Sequence, residues 1–176
     1  MKLSVEIATE ADAGALASLR TRVADDLAHM YGRGHWSWAI TERGVLRGLK
    51  MSRVLVARNR RGVVATLRLT TRKPWAIDPA YFTPARRSLY LVDMAVEPSL
   101  QRQDIGRRLV EEAMAIARAW PSDAIRLDAY DGALGAGPFY ARCGFREVGR
   151  VTYRRVPLVY FEWLVTESKD ASSGQP

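Results

Sequence analysis

The apolar residues of this chain recur with two different periods, and the switches between them divide it into strands and helices. Val5 and Ile7 flank Glu6, the alternation of a short strand with one wet face. Thr9-Glu10-Ala11-Asp12 then has the form of a capping box. Leu16, Leu19, Val23, Leu27 and Met30 follow at spacings of three and four, which predicts a helix ending near Gly32 or Gly34. A second helix is expected over 35–49, with Gly44 and Gly48 weakening it. Two β-rich runs, 53–58 and 63–71, are separated by Asn59-Arg60-Arg61-Gly62, a hairpin by composition. A long loop from Lys73 to about Arg87 carries Trp75, Tyr81 and Phe82. Loops of that length inside a compact domain are often functional.

The stretch from Leu89 to Ala119 organises the rest. Residues 89–96 are apolar except for Asp93, as expected of a strand buried on both faces. Glu97 and Pro98 end it, since proline brings no amide to a ladder. Beyond the polar crossing 101–104, the apolar positions Ile105, Leu109, Ala113, Ile116, Ala117 and Trp120 form one helical stripe, and Pro121 stops it. A strand, a tight polar crossing and a helix start together make an anion site, because the first amides of the helix have no intrahelical partner. Gly106 lets a diphosphate approach the backbone, and Arg102, Arg107 and Arg108 add cations. The plain alternative is an ordinary strand-to-helix turn with a solvated basic face.

Further on, Ile125, Leu127 and Ala129 alternate with Arg126, Asp128 and Tyr130 in another strand. The segment 131–137 is a Gly-rich turn, Pro138 suits the first turn of a short helix and Gly144 its end. Two final strands are expected over 147–154 and 156–165, and a polar tail over 166–176 reads as disordered. Residues 1–165 therefore read as a single domain.

Two motifs add chemistry to this order. Gln101-x-x-Asp104-x-Gly106 resembles the Gln/Arg-x-x-Gly-x-Gly/Ala motif of the GNAT acetyltransferases, and Phe139-Tyr140-Ala141-Arg142-Cys143-Gly144-Phe145 is similar to their Phe-Tyr-x-x-x-Gly-Phe signature. Asp104 departs from the pattern where the family has a loop glycine. Aspartate tolerates left-handed backbone better than most residues, but its carboxylate repels a diphosphate. The resemblance implies an α/β (α+β) GNAT fold: a central mixed, mostly antiparallel seven-stranded sheet, splayed between strands 4 and 5 and flanked by helices. It also implies acetyl-CoA as acetyl-donor cosubstrate, lying in that V.

By resemblance, Met94, Ala95 and Val96 pair with the pantetheine arm. Gln101, Arg102, Gln103, Asp104, Ile105, Gly106 and Arg107 wrap the diphosphate, and Ala133 and Ala136 line the pantetheine side. An asparagine is common in the family where Ala133 stands. The early helical region commonly covers the acceptor there, so Trp36 is a substrate candidate, with Tyr31, His35 and Trp38 beside it. Trp75 of the aromatic loop is a second. Each of these aromatics has a plainer reading as core or surface.

Tyr140 occupies the position from which the family tyrosine protonates the departing thiolate. A phenol of pKa ~10 giving its proton to a thiolate near ~8.5 is uphill by only about 2 kcal/mol. The Met94 amide is the expected carbonyl donor. Asp93 is the candidate base, but strand alternation sets it opposite Met94, so a bulge is required to aim it inward. Glu97, Asp128 and Asp131 are alternatives, and a buried structural carboxylate is the competing account of Asp93. Cys143 has nothing to activate it, so direct attack is expected.

Composition narrows the remaining classes. With 48% hydrophobic and 26% charged residues the chain is ordinary for a globular protein. No apolar run is long enough to span a bilayer, no signal-peptide core opens the chain, and one cysteine rules out an intrachain disulfide; a cytoplasmic address is expected. Two histidines and one cysteine argue against a metal site. The net charge of +8 favours anionic partners, yet the basic residues fall in scattered doublets, which argues against nucleic acid. The expectation is an N-acetyltransferase acting on a small-molecule or peptide amine, with homodimerisation left open. Its rivals are a non-catalytic acyl-CoA-binding module of the same fold and a basic nucleic-acid-binding domain.

Overall fold

Strand alternation sorts the apolar side chains into two sheet faces, and each face is closed by a different set of elements. The computed structural model describes residues 3–34, 37, 40–133 and 135–165. Its strands are β1 (Ser4–Ile7), β2 (Arg53–Asn59), β3 (Gly62–Thr70), β4 (Ser88–Val96), β5 (Ala124–Tyr130), β6 (Arg146–Tyr153) and β7 (Val156–Leu164). The helices are α1 (Ala13–Tyr31), α2 (Glu42–Met51), α3 (Ile105–Ala119) and α4 (Gly137–Arg142). The strands form one seven-stranded sheet in the order β1-β2-β3-β4-β5-β7-β6. Only the β4–β5 pair is parallel. This is the mixed, mostly antiparallel sheet expected.

On one face Leu55, Leu67, Leu69, Leu89 and Leu91 pack under α3 and α4, with Leu109, Ala113 and Phe145 closing the cluster. On the other, Val54 and Val56 meet Leu16 and Leu19 of α1 and Val45 of α2. Past β4 no helix among the described residues covers that second face. Ile77 and Phe82, from the loop between β3 and β4, do so by packing on Tyr90, Leu158 and Tyr160. Burying a side chain of this size contributes about 1.5–3 kcal/mol, which is why an irregular segment stays down on the sheet.

Polar anchors fix that segment. The Tyr160 hydroxyl donates to the Ala76 carbonyl and accepts the Asp78 amide, and an Arg126 guanidinium donates to the Thr83 carbonyl at 2.6 Å. Glu162, only 1% exposed, accepts the Thr83 amide at 3.0 Å, the Thr83 hydroxyl at 2.7 Å and the Arg146 guanidinium. Burial alone would raise the Glu162 carboxyl; the bonds from Thr83 and Arg146 outweigh it and hold the group below the usual glutamate range. Its contribution to stability is therefore present above the unfolded pKa and lost as pH falls through the lowered folded value. Glu162→Ala is expected to lower the melting temperature by about 6–12 °C at neutral pH. That range follows from about 3 kcal/mol for the charge-assisted bonds that the Thr83 amide and hydroxyl lose, and roughly 2–4 °C per kcal/mol at this chain length. Calorimetry reads it.

Two expectations need correction. The second helix begins at Glu42, not near residue 35: Thr41 has extended backbone and its hydroxyl accepts the Gly44 amide at 3.1 Å, so it caps the helix there. Residues 35, 36, 38 and 39 lie outside the described residues, as does the tail 166–176. β4 is also not buried along its whole length, since Leu89, Tyr90 and Leu91 are buried while Val92, Asp93 and Met94 are half-exposed. The cause is the opening of the sheet.

Candidate active site

β4 and β5 pair only from Ser88 opposite Ala124 to Tyr90 opposite Arg126. Beyond that point β4 continues to Val96 and β5 to Tyr130 with no strand between them. The edge of β4 from Leu91 onward thus presents amides and carbonyls to a cavity, and buried backbone groups demand partners. A side-chain-free way of satisfying them is an extended ligand lying as a pseudo-strand. The cavity has a volume of about 490 Å³ and is walled by β4, β5, α1, the 135–136 turn and Tyr140. Met94, Ala95 and Ala136 line it. Val96 pairs with Ala65 on the far side of β4 and accepts the Gln101 side-chain amide at 3.3 Å.

The crossing to α3 holds Arg102 and Asp104 in left-handed backbone, with φ of 60° and 59°. Asp104 therefore takes the conformation for which glycine is the usual choice, at a strain of about 1–2 kcal/mol. Its carboxylate caps nothing, while its carbonyl accepts the Arg108 amide at 3.0 Å. Among the described residues, the amides of Arg102, Asp104, Ile105, Gly106 and Arg107 meet no protein acceptor, while residues 101–102 form a turn that the Gln103 amide closes. Five free donors at the start of a fifteen-residue helix fit a diphosphate. Side chains contribute less than expected: Gln103 turns back to the Ser99 carbonyl, Arg107 pairs with Glu111 at 2.9 Å and Ile105 is buried in the core.

Gly106 has a second reason to lack a side chain. A Cβ there would stand 2.9 Å from Met94 Cε and 3.3 Å from Phe139, so the packing of α3 against β4 and α4 needs the gap. Gly135 is more constrained still, since a Cβ would fall 1.8 Å from the Tyr130 carbonyl oxygen. Backbone cannot swing aside as a methionine can. Gly135→Ala is expected to displace the 131–137 turn, of which Ala133 and Ala136 are part. It should weaken coenzyme A binding at least about tenfold, the equivalent of one lost hydrogen bond to the arm; titration calorimetry measures it.

Asp93 sits on the bulge that strand alternation required. Thr66 lies opposite Ala95 and Arg68 opposite Val92, so Asp93 and Met94 together face the single residue Leu67. Asp93 has φ of 56°, which turns its side chain to the α1 side. Both of its oxygens are engaged, one by Arg20 and the other by Arg68, each at 2.8 Å. The alternative carboxylates separate clearly. Glu97 pairs with Arg22 at 2.8 Å and Asp131 with Arg150 at 2.9 Å. Asp128 has no cation among the described residues and lines the same cavity as Tyr140. Burial pushes the Asp128 carboxyl up, only partly offset by its own backbone amide.

The Tyr140 ring is buried at the base of the V, edge-on to Phe139 and Phe145, and its hydroxyl reaches Met94 Sδ at 3.5 Å. Burial, then the charge of Asp128, pushes its phenol well above the usual tyrosine value. Burial likewise raises the Cys143 thiol, which disfavours the thiolate a nucleophile needs.

A second cavity, of about 440 Å³, opens on the α1–α2 side of the sheet and shares Arg20, Val92 and Asp93 with the first. Trp75, 83% exposed, stands at its rim, and Trp36 lies outside the described residues. Of the residues expected at the site, Tyr140, Met94, Ala95 and Ala136 meet in the V, Asp93 joins the two cavities, and 102–107 flank the exit. Of the alternative carboxylates it is Asp128 that lines the cavity with Tyr140; its signal in the sequence, a lone carboxylate in a buried strand, is one it shares with Asp93.

Comparison with known proteins agrees with this architecture. Residues 50–147 match the family model described as an acetyltransferase (GNAT) domain. A glucosamine 6-phosphate N-acetyltransferase of Trypanosoma brucei brucei is 27% identical over 136 residues, covering 73% of this chain and 88% of the relative. The solved structure of an acetyltransferase of the GNAT family from Streptococcus pneumoniae superposes with a TM-score of 0.72 at 17% identity, covering 94% of this chain and all (100%) of that one. The PaiA N-acetyltransferase of Thermoplasma acidophilum, solved in complex with coenzyme A, gives 0.71 at 15% identity over 93% of this chain and 100% of its own. At those identities the structures speak for the fold, and the family model, spanning more than half of the sequence, speaks for descent: the chain belongs to the GNAT acetyltransferase family.

Proposed function

We propose that this protein is an N-acetyltransferase that moves the acetyl group of acetyl-CoA to a primary amine by direct attack, with Asp128 as base and Tyr140 as acid. The observation that carries the reading is the opening between β4 and β5, which brings an unpaired strand edge, an uncharged-phenol donor and a cation-free carboxylate into one cavity. Acetyl-CoA is a cosubstrate consumed at each turnover and supplies the activated thioester. The edge of β4 holds its arm, and the free amides among residues 102–107 receive its diphosphate.

Asp128 accepts a proton from the acceptor ammonium, freeing the nitrogen lone pair. As the N–C bond forms and the C–S bond breaks, the Met94 amide is the donor placed to meet the developing charge on the carbonyl oxygen. Tyr140 then gives its proton to the departing thiolate. The acylated nitrogen sheds its second proton through solvent to the phenolate, which restores Tyr140, and Asp128 releases its proton to bulk water. The raised phenol of Tyr140 makes it a weaker acid, so the transfer costs more than the ~2 kcal/mol of the unperturbed groups. The thiolate leaves in the same desolvated cleft, where it is a stronger base than in water, and this offsets part of that cost. Asp93, saturated by two guanidinium groups, orients Arg20 and Arg68 and is a positioning residue in this scheme.

The test is thiol release from acetyl-CoA over a panel of primary amines, with the acetylated product identified by mass. Amine-dependent release is expected. Hydrolysis alone, or no release from protein that binds coenzyme A, would overturn the reading and favour a non-catalytic acyl-CoA-binding module.

A further inference from the structure

The second cavity carries far more positive charge than the fold requires. Arg20 and Arg68 come from α1 and β3, Arg47 from α2, and Arg72 and Lys73 from the segment after β3; Asp93 is the one carboxylate among the lining residues. Asp93 answers Arg20 and Arg68. The Lys73 ammonium donates to the Pro74 and Ile77 carbonyls. Arg47 and Arg72 have no ion pair among the described residues. Guanidinium groups gathered from separate elements into one concavity repel one another until an anion joins them.

The coenzyme's diphosphate is not that anion. Thr70, just before Arg72, pairs with Tyr90 near the start of β4, whereas the 102–107 amides lie beyond its end at Val96. The cavity is open because α2 presents Gly44 and Gly48, four residues apart, to it. A Cβ on Gly48 would already touch the Arg68 side chain at 3.6 Å. These two glycines, unfavourable for a helix by about 1 kcal/mol each, leave the space that side chains would fill.

Resting on the acetyltransferase reading, we propose that this cavity is the acceptor site and selects an amine that also bears an anionic group, a phosphate or a carboxylate. The anion sits against Arg47 and Arg72, and the amine points across the shared wall at Arg20, Val92 and Asp93 into the V, toward Asp128. Trp75 at the rim closes over the acceptor from outside.

The experiment uses matched pairs of amines on the full chain saturated with coenzyme A. Glucosamine 6-phosphate is compared with glucosamine, and β-alanine with β-alaninamide, by titration calorimetry and by kcat/KM with acetyl-CoA. The charged member of at least one pair should bind about 10- to 100-fold more tightly, the range of a charge-assisted hydrogen bond, and which pair responds separates phosphate from carboxylate. The double variant Arg47→Gln, Arg72→Gln should remove that preference while coenzyme A affinity and melting temperature stay unchanged. Arg60→Gln, a cation of the β2–β3 hairpin, should leave the preference intact. Equal binding within both pairs, no binding of either charged member, or a preference that survives the double variant would overturn the proposal. Because binding is read without turnover, a protein that binds the charged amine but never acetylates one would leave this site standing and sink the acetyltransferase reading instead.

Discussion

Asp128→Asn is expected to lower kcat/KM for an alkylamine acceptor by about 10²- to 10³-fold at pH 7. At that pH an amine of pKa ~10.4 carries a free lone pair in roughly one molecule in 2,500, so a base in the site has up to that factor to recover. The loss should shrink as pH rises toward the amine's own pKa, because solvent then does what Asp128 no longer does. The wild-type acid limb, which reports a carboxyl raised by burial, should vanish in the variant. Stability should move the other way. A carboxyl raised in the folded state is charged at a penalty above its folded pKa, and that penalty fades to nothing below the unfolded value near ~3.9. Asp128→Asn should therefore raise the melting temperature at neutral pH and leave it unchanged in acid. A variant that is slower, steadier and rescued by alkali is difficult to explain by a structural role.

Tyr140→Phe is expected to reduce kcat by about 10²-fold, the lower end of what a positioned acid supplies, with little change in coenzyme A affinity. The ring stays packed against Phe139 and Phe145, and among the described residues the hydroxyl bonds only the weak acceptor Met94 Sδ, so the fold loses little. Here the pH profile should keep its acid limb, since Asp128 is untouched. The phenol is held above the range in which the protein would be assayed, so no alkaline fall in the wild type belongs to Tyr140. The two variants thus separate by the shape of the profile as well as by rate. Unchanged turnover in Tyr140→Phe would remove this tyrosine from the chemistry.

Much of this site is legible from the sequence because it is local. The strand 89–96, the crossing 101–104 and the helix that follows announce themselves by period and punctuation, and Asp93 announces the bulge as the one carboxylate in an apolar run. The motif 139–145 places Tyr140 at a helix start. What the sequence leaves open depends on partners distant along the chain. Asp93 and Asp128 are equivalent as lone carboxylates in buried strands; only the folded chain brings Arg20 and Arg68 to one and, among the described residues, no cation to the other. The cationic cavity is drawn from α1, α2, β3 and the following loop, so its arginines look like scattered surface charge until the sheet assembles. Gly44 and Gly48 weaken a helix by propensity, and tertiary packing overrides that preference because the same positions must stay open. The second helix starts later than its residue pattern suggests because the Thr41 side chain caps it at Glu42.

The measurement that tests the central claim most directly is titration of the purified protein with coenzyme A and then acetyl-CoA in a calorimeter. The account predicts one site per chain with micromolar affinity for both, despite Asp104, because the diphosphate is held by backbone amides that Asp104 presents as well as glycine would. Silence at millimolar ligand would mean that the carboxylate of Asp104 defeats those amides, and the V between β4 and β5 would then not be a coenzyme site at all.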